Sequence, residues 1–307
     1  MKACIITLGC KINYYESNQF AREYADRGYE IVTRFIPDAD IYIVNTCAVT
    51  SAAEKKSRNT VARVRRAILL SNQEKGGKGS AGRLIVCGCA GDRRVNDMQK
   101  NHALQTRKRA FVKVQDGCNS FCAYCIVPYL RGPSRSRPID EVIAEIRASG
   151  GKSVVISGID LSSYGLDIGT NLGELCKKVD EIGVEWELSS IEVGILTPDF
   201  IDILTKSRHF LPKFHVPLQS GSDKILRAMR RKYTQEQYLD AINRLRTAFP
   251  IAQISTDVII GFTGEKPEDL AETNKVIDEV GFFHVHRFPY SDRRLERYKG
   301  VRNDKPD

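Results

Sequence analysis

Between Phe111 and Phe288, six short apolar runs alternate with helical stretches, and this alternation constrains the fold more than any other feature of the sequence. Strands are expected near 111–115, 153–158, 187–191, 214–218, 254–260 and 284–288. Helices are expected near 138–149, 171–182, 198–206, 222–230, 235–247 and 267–280. Strands separated by helices pair in parallel, with the helices laid over the sheet. Six such units over about 200 residues suit a parallel sheet curled into a partial barrel. The N-terminal third repeats the pattern on a smaller scale. Ala3–Leu8, Ile41–Val44 and Leu84–Val86 read as buried strands. Glu16–Arg27 reads as a helix stopped by Gly28, and Ser51-Ala52-Ala53-Glu54 as a capping box opening a long helix striped by Val61, Val64 and Ile68. Ser71–Gly82 reads as a flexible loop and Asp92–Lys108 as a linker. The expected class is α/β: a Rossmann-like parallel-sheet domain over residues 1–105 and a partial (β/α)6 barrel of the TIM type over 106–307.

The chain has 307 residues, 42% of them apolar, with 47 Lys+Arg against 38 Asp+Glu. This excludes a disordered or collagen-like chain. No apolar stretch is long enough to span a membrane, and the N-terminus reads as a strand rather than an export signal. A cytoplasmic protein with no membrane partner is expected. Its nine cysteines are then core filler, nucleophiles or metal ligands, because disulfides are rare in the reducing cytosol. Position separates them. Each N-terminal strand is followed by a cysteine: Cys10, Cys47 and Cys89. Ligands gather beyond the carboxyl ends of parallel strands, so these three could converge on one edge. Cys4, Cys87 and Cys176 read as packing.

Cys118, Cys122 and Cys125 have the spacing C-x3-C-x2-C, in the loop directly after the first strand of the second domain. Three thiolates on one short loop can hold three corners of a [4Fe–4S] cube, leaving the fourth iron without a protein ligand. A structural zinc site would want a fourth Cys or His nearby, and none follows within forty residues. Zinc with a distant fourth ligand, or a chance cluster of core cysteines, are the alternatives.

At this spacing the sequence resembles the radical SAM superfamily, and Gly117–Gly132 followed by Ser134-Arg135-Ser136-Arg137 looks like its methylthiotransferases. Ser157-Gly158, Ser189-Ser190-Ile191-Glu192, Pro217–Ser222, Thr256–Phe262 and Phe288–Ser291 agree, all at expected strand ends. Leu8-Gly9-Cys10, Asn45-Thr46-Cys47 and Gly88-Cys89 match the three cysteines that hold a second, auxiliary cluster in that family. Thr7–Asn13 and Tyr15-Glu16-Ser17 are similar to the branch acting on N6-threonylcarbamoyladenosine in tRNA.

The resemblance implies two [4Fe–4S] clusters, one on Cys118, Cys122 and Cys125 and one on Cys10, Cys47 and Cys89. It implies S-adenosylmethionine (SAM) as cofactor, with Ser157, Gly158, Glu192, Gln219, Ser222 and Gly261 as candidate contacts. The implied reaction replaces the C2 hydrogen of adenosine 37, in the tRNA anticodon loop, by a methylthio group. A reducing electron donor and a sulfur source are implied partners. Methylthiolation of isopentenyladenosine or of a ribosomal protein, and a non-catalytic RNA-binding homologue, are the alternatives.

The net charge of +9 fits a polyanionic partner. Arg63, Arg65, Arg66, Arg107–Arg109 and Arg230-Arg231-Lys232 are candidate phosphate contacts, although charge runs on helices are usually solvated faces. The five histidines show no paired ligand spacing and take no expected role. Three departures from the family stand out. The Cys89–Cys118 segment is short, Thr263 replaces a usual Pro, and Asp292-Arg293-Arg294-Leu295 replaces a Pro-Arg-x-Gly-Thr pattern. The small C-terminal β domain of the family is expected to be absent.

Overall fold

The computed structural model describes residues 1–74, 82–89 and 109–292. The linker expected at Asp92–Lys108, most of the loop expected at Ser71–Gly82, and everything after Asp292 lie outside the described residues. The chain divides into two compact units, one within Met1–Arg107 and one within Lys108–Arg294.

The first unit runs β1 (Lys2–Thr7), α1 (Lys11–Asp26), β2 (Glu30–Val32), β3 (Ile41–Thr46), α2 (Ser51–Glu74) and β4 (Arg83–Gly88). Its four strands are all parallel, in the order β2-β1-β3-β4. The chain therefore leaves β1 toward one side for β2 and returns to the other for β3, which makes a topological switch point. β3 is buried at all six positions, as a strand covered on both faces must be. Phe20 and Tyr24 of α1 pack with Ile5 and Ile43 on one face, and Val64 of α2 packs with Tyr42 and Val44 on the other.

Local details differ from the sequence reading. α1 begins at Lys11, five residues before the expected Glu16. Thr50, not Ser51, caps α2: its Oγ1 accepts the Ala53 N–H at 3.1 Å. α2 continues through Glu74, so the first residues of the expected loop are helical. The three-residue β2 has too little apolar length to be read from sequence.

The second unit runs β5 (Arg109–Asp116), α3 (Val127–Arg131), β6 (Arg135–Ser136), α4 (Ile139–Ser149), β7 (Ser153–Gly158), α5 (Leu172–Asp180), β8 (Glu185–Leu188), α6 (Pro198–Lys206), β9 (Lys213–His215), α7 (Asp223–Ala228), α8 (Gln235–Ala248), β10 (Gln253–Ile260), α9 (Pro267–Val280) and β11 (His284–Pro289). β5-β7-β8 and β9-β10-β11 are parallel ladders. Isolated parallel bridges, Trp186 to Phe210 and Ser190 to His215, join them into one curled half-barrel sheet. β9 ends at His215, shorter than expected, since Pro217 has no N–H to give a ladder. Strand residues alternate. Val112, Ile156, Leu188, Val216 and Ile254 face the helices in one apolar core, whereas Lys113, Ser157, Glu187, His215 and Asp257 take the other parity and line the concave face.

Candidate active site

β5 ends in Asp116, a buried carboxylate set between Lys113 Nζ and the Arg131 guanidinium, each at 3.1 Å. Burial pushes its pKa up, but the two cations outweigh that and hold it down at about 2. Gly117 then turns the chain at φ +74°, where an added Cβ would lie 1.9 Å from the Pro133 carbonyl oxygen, so only glycine fits. Gln115 pins the turn: its amide donates to Gly117 O (2.7 Å) and Ser134 Oγ (2.8 Å), and its oxygen accepts the Asp160 N–H (2.8 Å). The cysteine loop is thereby tied both to the chain that returns from it and to the loop after β7.

Cys118, Cys122 and Cys125 line one cavity of about 200 Å³, together with Asp160, Ser190, Glu192, Gln219 and Arg231. These residues come from the carboxyl ends of β5, β7, β8 and β9 and from the turn after α7. Burial pushes the Cys118 thiol up to about 11, and the Asp160 carboxylate, 3.4 Å away, adds to the rise. Burial likewise pushes Cys125 up to about 12, with its two neighbouring cysteines adding.

Arg231 is the cation of the cavity. Its side chain is only 4% exposed. It donates to Cys122 Sγ and to Tyr124 Oη, each at 3.3 Å, pairs with the Glu192 carboxylate, and lies 5.0 Å from the Tyr233 ring centroid. The sequence reading placed Arg231 in an exposed phosphate-binding run. It is instead buried against the cysteine loop, because Arg230 takes a left-handed turn at φ +60° and sends its neighbour inward. Among the described residues, Phe121, Gln219 and Arg230 are the non-glycines with positive φ, and all three lie in or beside this site, where backbone strain tends to collect.

Of the candidate SAM contacts, Glu192 and Gln219 line the cavity; Ser157, Gly158, Ser222 and Gly261 do not. Ser157 is buried on the concave face. Gly158 makes room for Gln115, whose oxygen would lie 3.0 Å from an added Cβ. Ser222 is buried and donates to Asp269 Oδ1 at 2.8 Å. Gly261 is exposed, and its N–H is bound by the Glu265 carboxylate. Arg109 is paired with Glu187 rather than presented as a phosphate contact.

In the first unit, Cys10, Cys47 and Cys89 follow β1, β3 and β4, neighbouring parallel strands, and so lie along one sheet edge. The Leu8 N–H donates to Asn45 O (2.8 Å) and the Cys89 N–H to Thr46 O (3.0 Å), which fixes the register to the last residue. A Cβ on Gly9 would lie 2.9 Å from Cys47 Cβ, so the first two loops touch. Gly88 lets Asn45 approach, since a Cβ there would lie 2.3 Å from Asn45 Oδ1. Buried amides brace the edge: Asn13 Nδ2 donates to Asn45 Oδ1 (2.9 Å) and Thr46 O (2.8 Å), and Asn45 Nδ2 donates to Asn13 O (2.8 Å). Ser57 of α2 both accepts the Cys47 N–H (3.0 Å) and donates to Cys47 O (2.8 Å). In the sequence Asn13 and Asn45 stood only as letters of the cysteine motifs, with no bracing role expected of them, and Ser57 was not singled out.

All nine cysteines are free thiols. Among the described residues, no three His, Cys, Asp or Glu side chains converge on a point as ligands of a single metal ion do. A cubane spreads its ligands over separate corners. Three thiols lining one cavity fit that donor set, with one corner left without a protein ligand. Cys4, Cys87 and Cys176 are fully buried packing residues. No helix among the described residues is long and apolar enough to cross a membrane.

Residues 112–277 match the radical SAM superfamily, and residues 2–107 match the uncharacterized protein family UPF0004. The threonylcarbamoyladenosine tRNA methylthiotransferase MtaB of Chlamydia pneumoniae is 37% identical over 99% of this chain and 78% of its own length. That alignment spans 340 positions, more than the 307 residues here, so the relative carries residues inside the matched span that this chain lacks. MtaB of Bacillus subtilis is 34% identical over 94% of this chain and 73% of its own length. The tRNA-2-methylthio-N(6)-dimethylallyladenosine synthase of Fervidobacterium nodosum is 33% identical over 100% and 80%. Among solved structures, the apo cobalamin-dependent S-adenosylmethionine radical enzyme OxsB shares the fold, with a TM-score of 0.63 at 11% identity over 99% of this chain and 55% of that one. With both sequence halves matched and relatives aligned along its full length, this chain belongs to the radical SAM methylthiotransferase family.

Proposed function

We propose that the chain methylthiolates C2 of an N6-modified adenosine in tRNA, and that its substrate is N6-threonylcarbamoyladenosine at position 37. The observation that carries the reading is full-length similarity to MtaB enzymes, joined to Lys11-Ile12-Asn13 after the first cysteine. The similarity to a dimethylallyladenosine enzyme makes that nucleoside the second reading.

Cys118, Cys122 and Cys125 would hold the SAM-cleaving cluster, and Cys10, Cys47 and Cys89 the auxiliary one. Bound there, the clusters and SAM supply an electron, a hydrogen-abstracting radical and a sulfur acceptor for methyl. The chain's own residues orient and shield. Arg231 offsets negative charge at Cys122, while Glu192 and Gln219 present polar groups where SAM would lie. On α2, exposed Lys55, Lys56 and Arg63 line a shallow hollow suited to RNA phosphates. A low-potential electron donor and a sulfur source complete the reaction.

The test is nucleoside mass spectrometry of tRNA from a host lacking its own methylthiotransferases, with and without this gene. The expected result is the methylthio derivative of threonylcarbamoyladenosine, dependent on Cys118. Methylthio-dimethylallyladenosine instead would favour the second reading, and no new methylthio nucleoside would reject both.

A further inference from the structure

The concave face carries a polar chain that the reaction outlined above does not use. Ser190 follows β8, His215 ends β9 and Asp257 lies in β10. Ser190 Oγ is 2.9 Å from His215 Nδ1, and His215 Nε2 is 3.1 Å from Asp257 Oδ1. Parallel pairing of Ser190 with His215 sets the first spacing through the backbone, where the Ile191 N–H donates to His215 O at 3.0 Å. The His215 and Asp257 side chains are half-buried, and Ser190 lines the cavity that holds the three cysteines.

The direction of each hydrogen bond follows from chemistry. A carboxylate only accepts, so the bond to Asp257 places the imidazole proton on Nε2. A neutral imidazole has one N–H, which leaves Nδ1 as an acceptor. With the imidazole neutral, the Ser190 hydroxyl donates to Nδ1, and its single hydrogen is spent there. What remains toward the cavity is oxygen lone pairs.

We infer that Ser190, its polarity set by His215 and Asp257, is a specificity-determining acceptor that reads an N–H group of the ligand in the cysteine-lined cavity. The recognised chemistry is an ammonium or the exocyclic N6–H of a substituted adenine. Resting on the proposed function, two molecules bring one: SAM and the target adenosine. Ser190 contacts the ligand; His215 and Asp257 are positioning residues that act through it.

The experiment measures SAM and tRNA affinities of anaerobically reconstituted protein. Ser190→Ala weakens one of the two by about 2- to 10-fold, the range of a single hydrogen bond, and Ser190→Thr restores it. Asp257→Asn, whose amide can donate to Nε2 and release the opposite tautomer, weakens the same ligand. The double variant Ser190→Ala/Asp257→Asn binds no worse than Ser190→Ala, since polarity has nothing left to act on. A loss for SAM assigns the N–H to the cofactor, and a loss for tRNA assigns it to the nucleobase. Ser190→Ala with unchanged affinity for every ligand that the wild type binds, or an Asp257→Asn effect that adds in full, overturns the inference. Wild-type protein that binds SAM but no tRNA would refute the proposed substrate, while the SAM measurement still decides the role of Ser190.

Discussion

In the second unit, three thiols sit on one stretch, Cys118–Cys125, walled by the buried Arg231. In the first, three thiols arrive on three strands and are aligned by sheet register and a pair of buried asparagines. The first arrangement is written mostly in local sequence. The second exists only once the sheet has formed. Damage to sheet packing should therefore separate them, emptying one edge while sparing the other.

The largest expected effect is chemical. Cys122→Ala reduces 5′-deoxyadenosine formation to background, whereas Cys47→Ala leaves it within a few-fold of wild type, read by chromatography of SAM cleavage products under reduction. Equal loss in both would erase the contrast. Next is Asn45→Ala, which strips several buried hydrogen bonds from the strand-end edge. It should cost about 2–4 kcal/mol of first-unit stability and halve bound iron with SAM cleavage retained.

Arg231→Met should cost about 2 kcal/mol, less than a fully buried pair, because the Glu192 side chain is 41% exposed. It should also move the cluster's reduction potential negative, since a cation beside Cys122 is lost. A potential titration followed by electron paramagnetic resonance checks this, and Arg231→Lys should restore part of the shift. An effect of similar size on stability, with none expected on the potential, concerns Asp116. Its folded pKa is depressed to about 2, so its contribution is present above the unfolded carboxylate range and lost as pH falls through about 2. That contribution is about 2 kcal/mol. The urea-midpoint gap between wild type and Asp116→Asn should narrow steadily from pH 5 toward pH 2.

The half-barrel was legible because its signals are local: apolar runs, helix stops and a cysteine loop placed directly after a strand. The site was legible where one segment builds it. Arg231 was missed because its charge sits in a basic run, and only the left-handed turn at Arg230 directs it inward. The half-buried Tyr124 and Tyr233 that receive it were the available hint. The meeting of Ser190 and Asp257 with His215 was invisible for a different reason. They lie in or just beyond three different strands and meet only through parallel pairing, so spacing along the chain says nothing about their meeting. Ser157, Gly158, Ser222 and Gly261 stand near strand ends without lining the cysteine cavity: Ser157 is buried on the concave face, Gly158 makes room for Gln115, and Ser222 and Gly261 are tied to Asp269 and Glu265.

The most direct measurement is iron and acid-labile sulfide per chain after anaerobic reconstitution of wild type, Cys47→Ala, Cys122→Ala and the double variant. Two cubane sites predict about eight irons in wild type, about four in each single variant and about none in the double. About four irons in wild type, unchanged by Cys47→Ala, would contradict an auxiliary cluster on Cys10, Cys47 and Cys89.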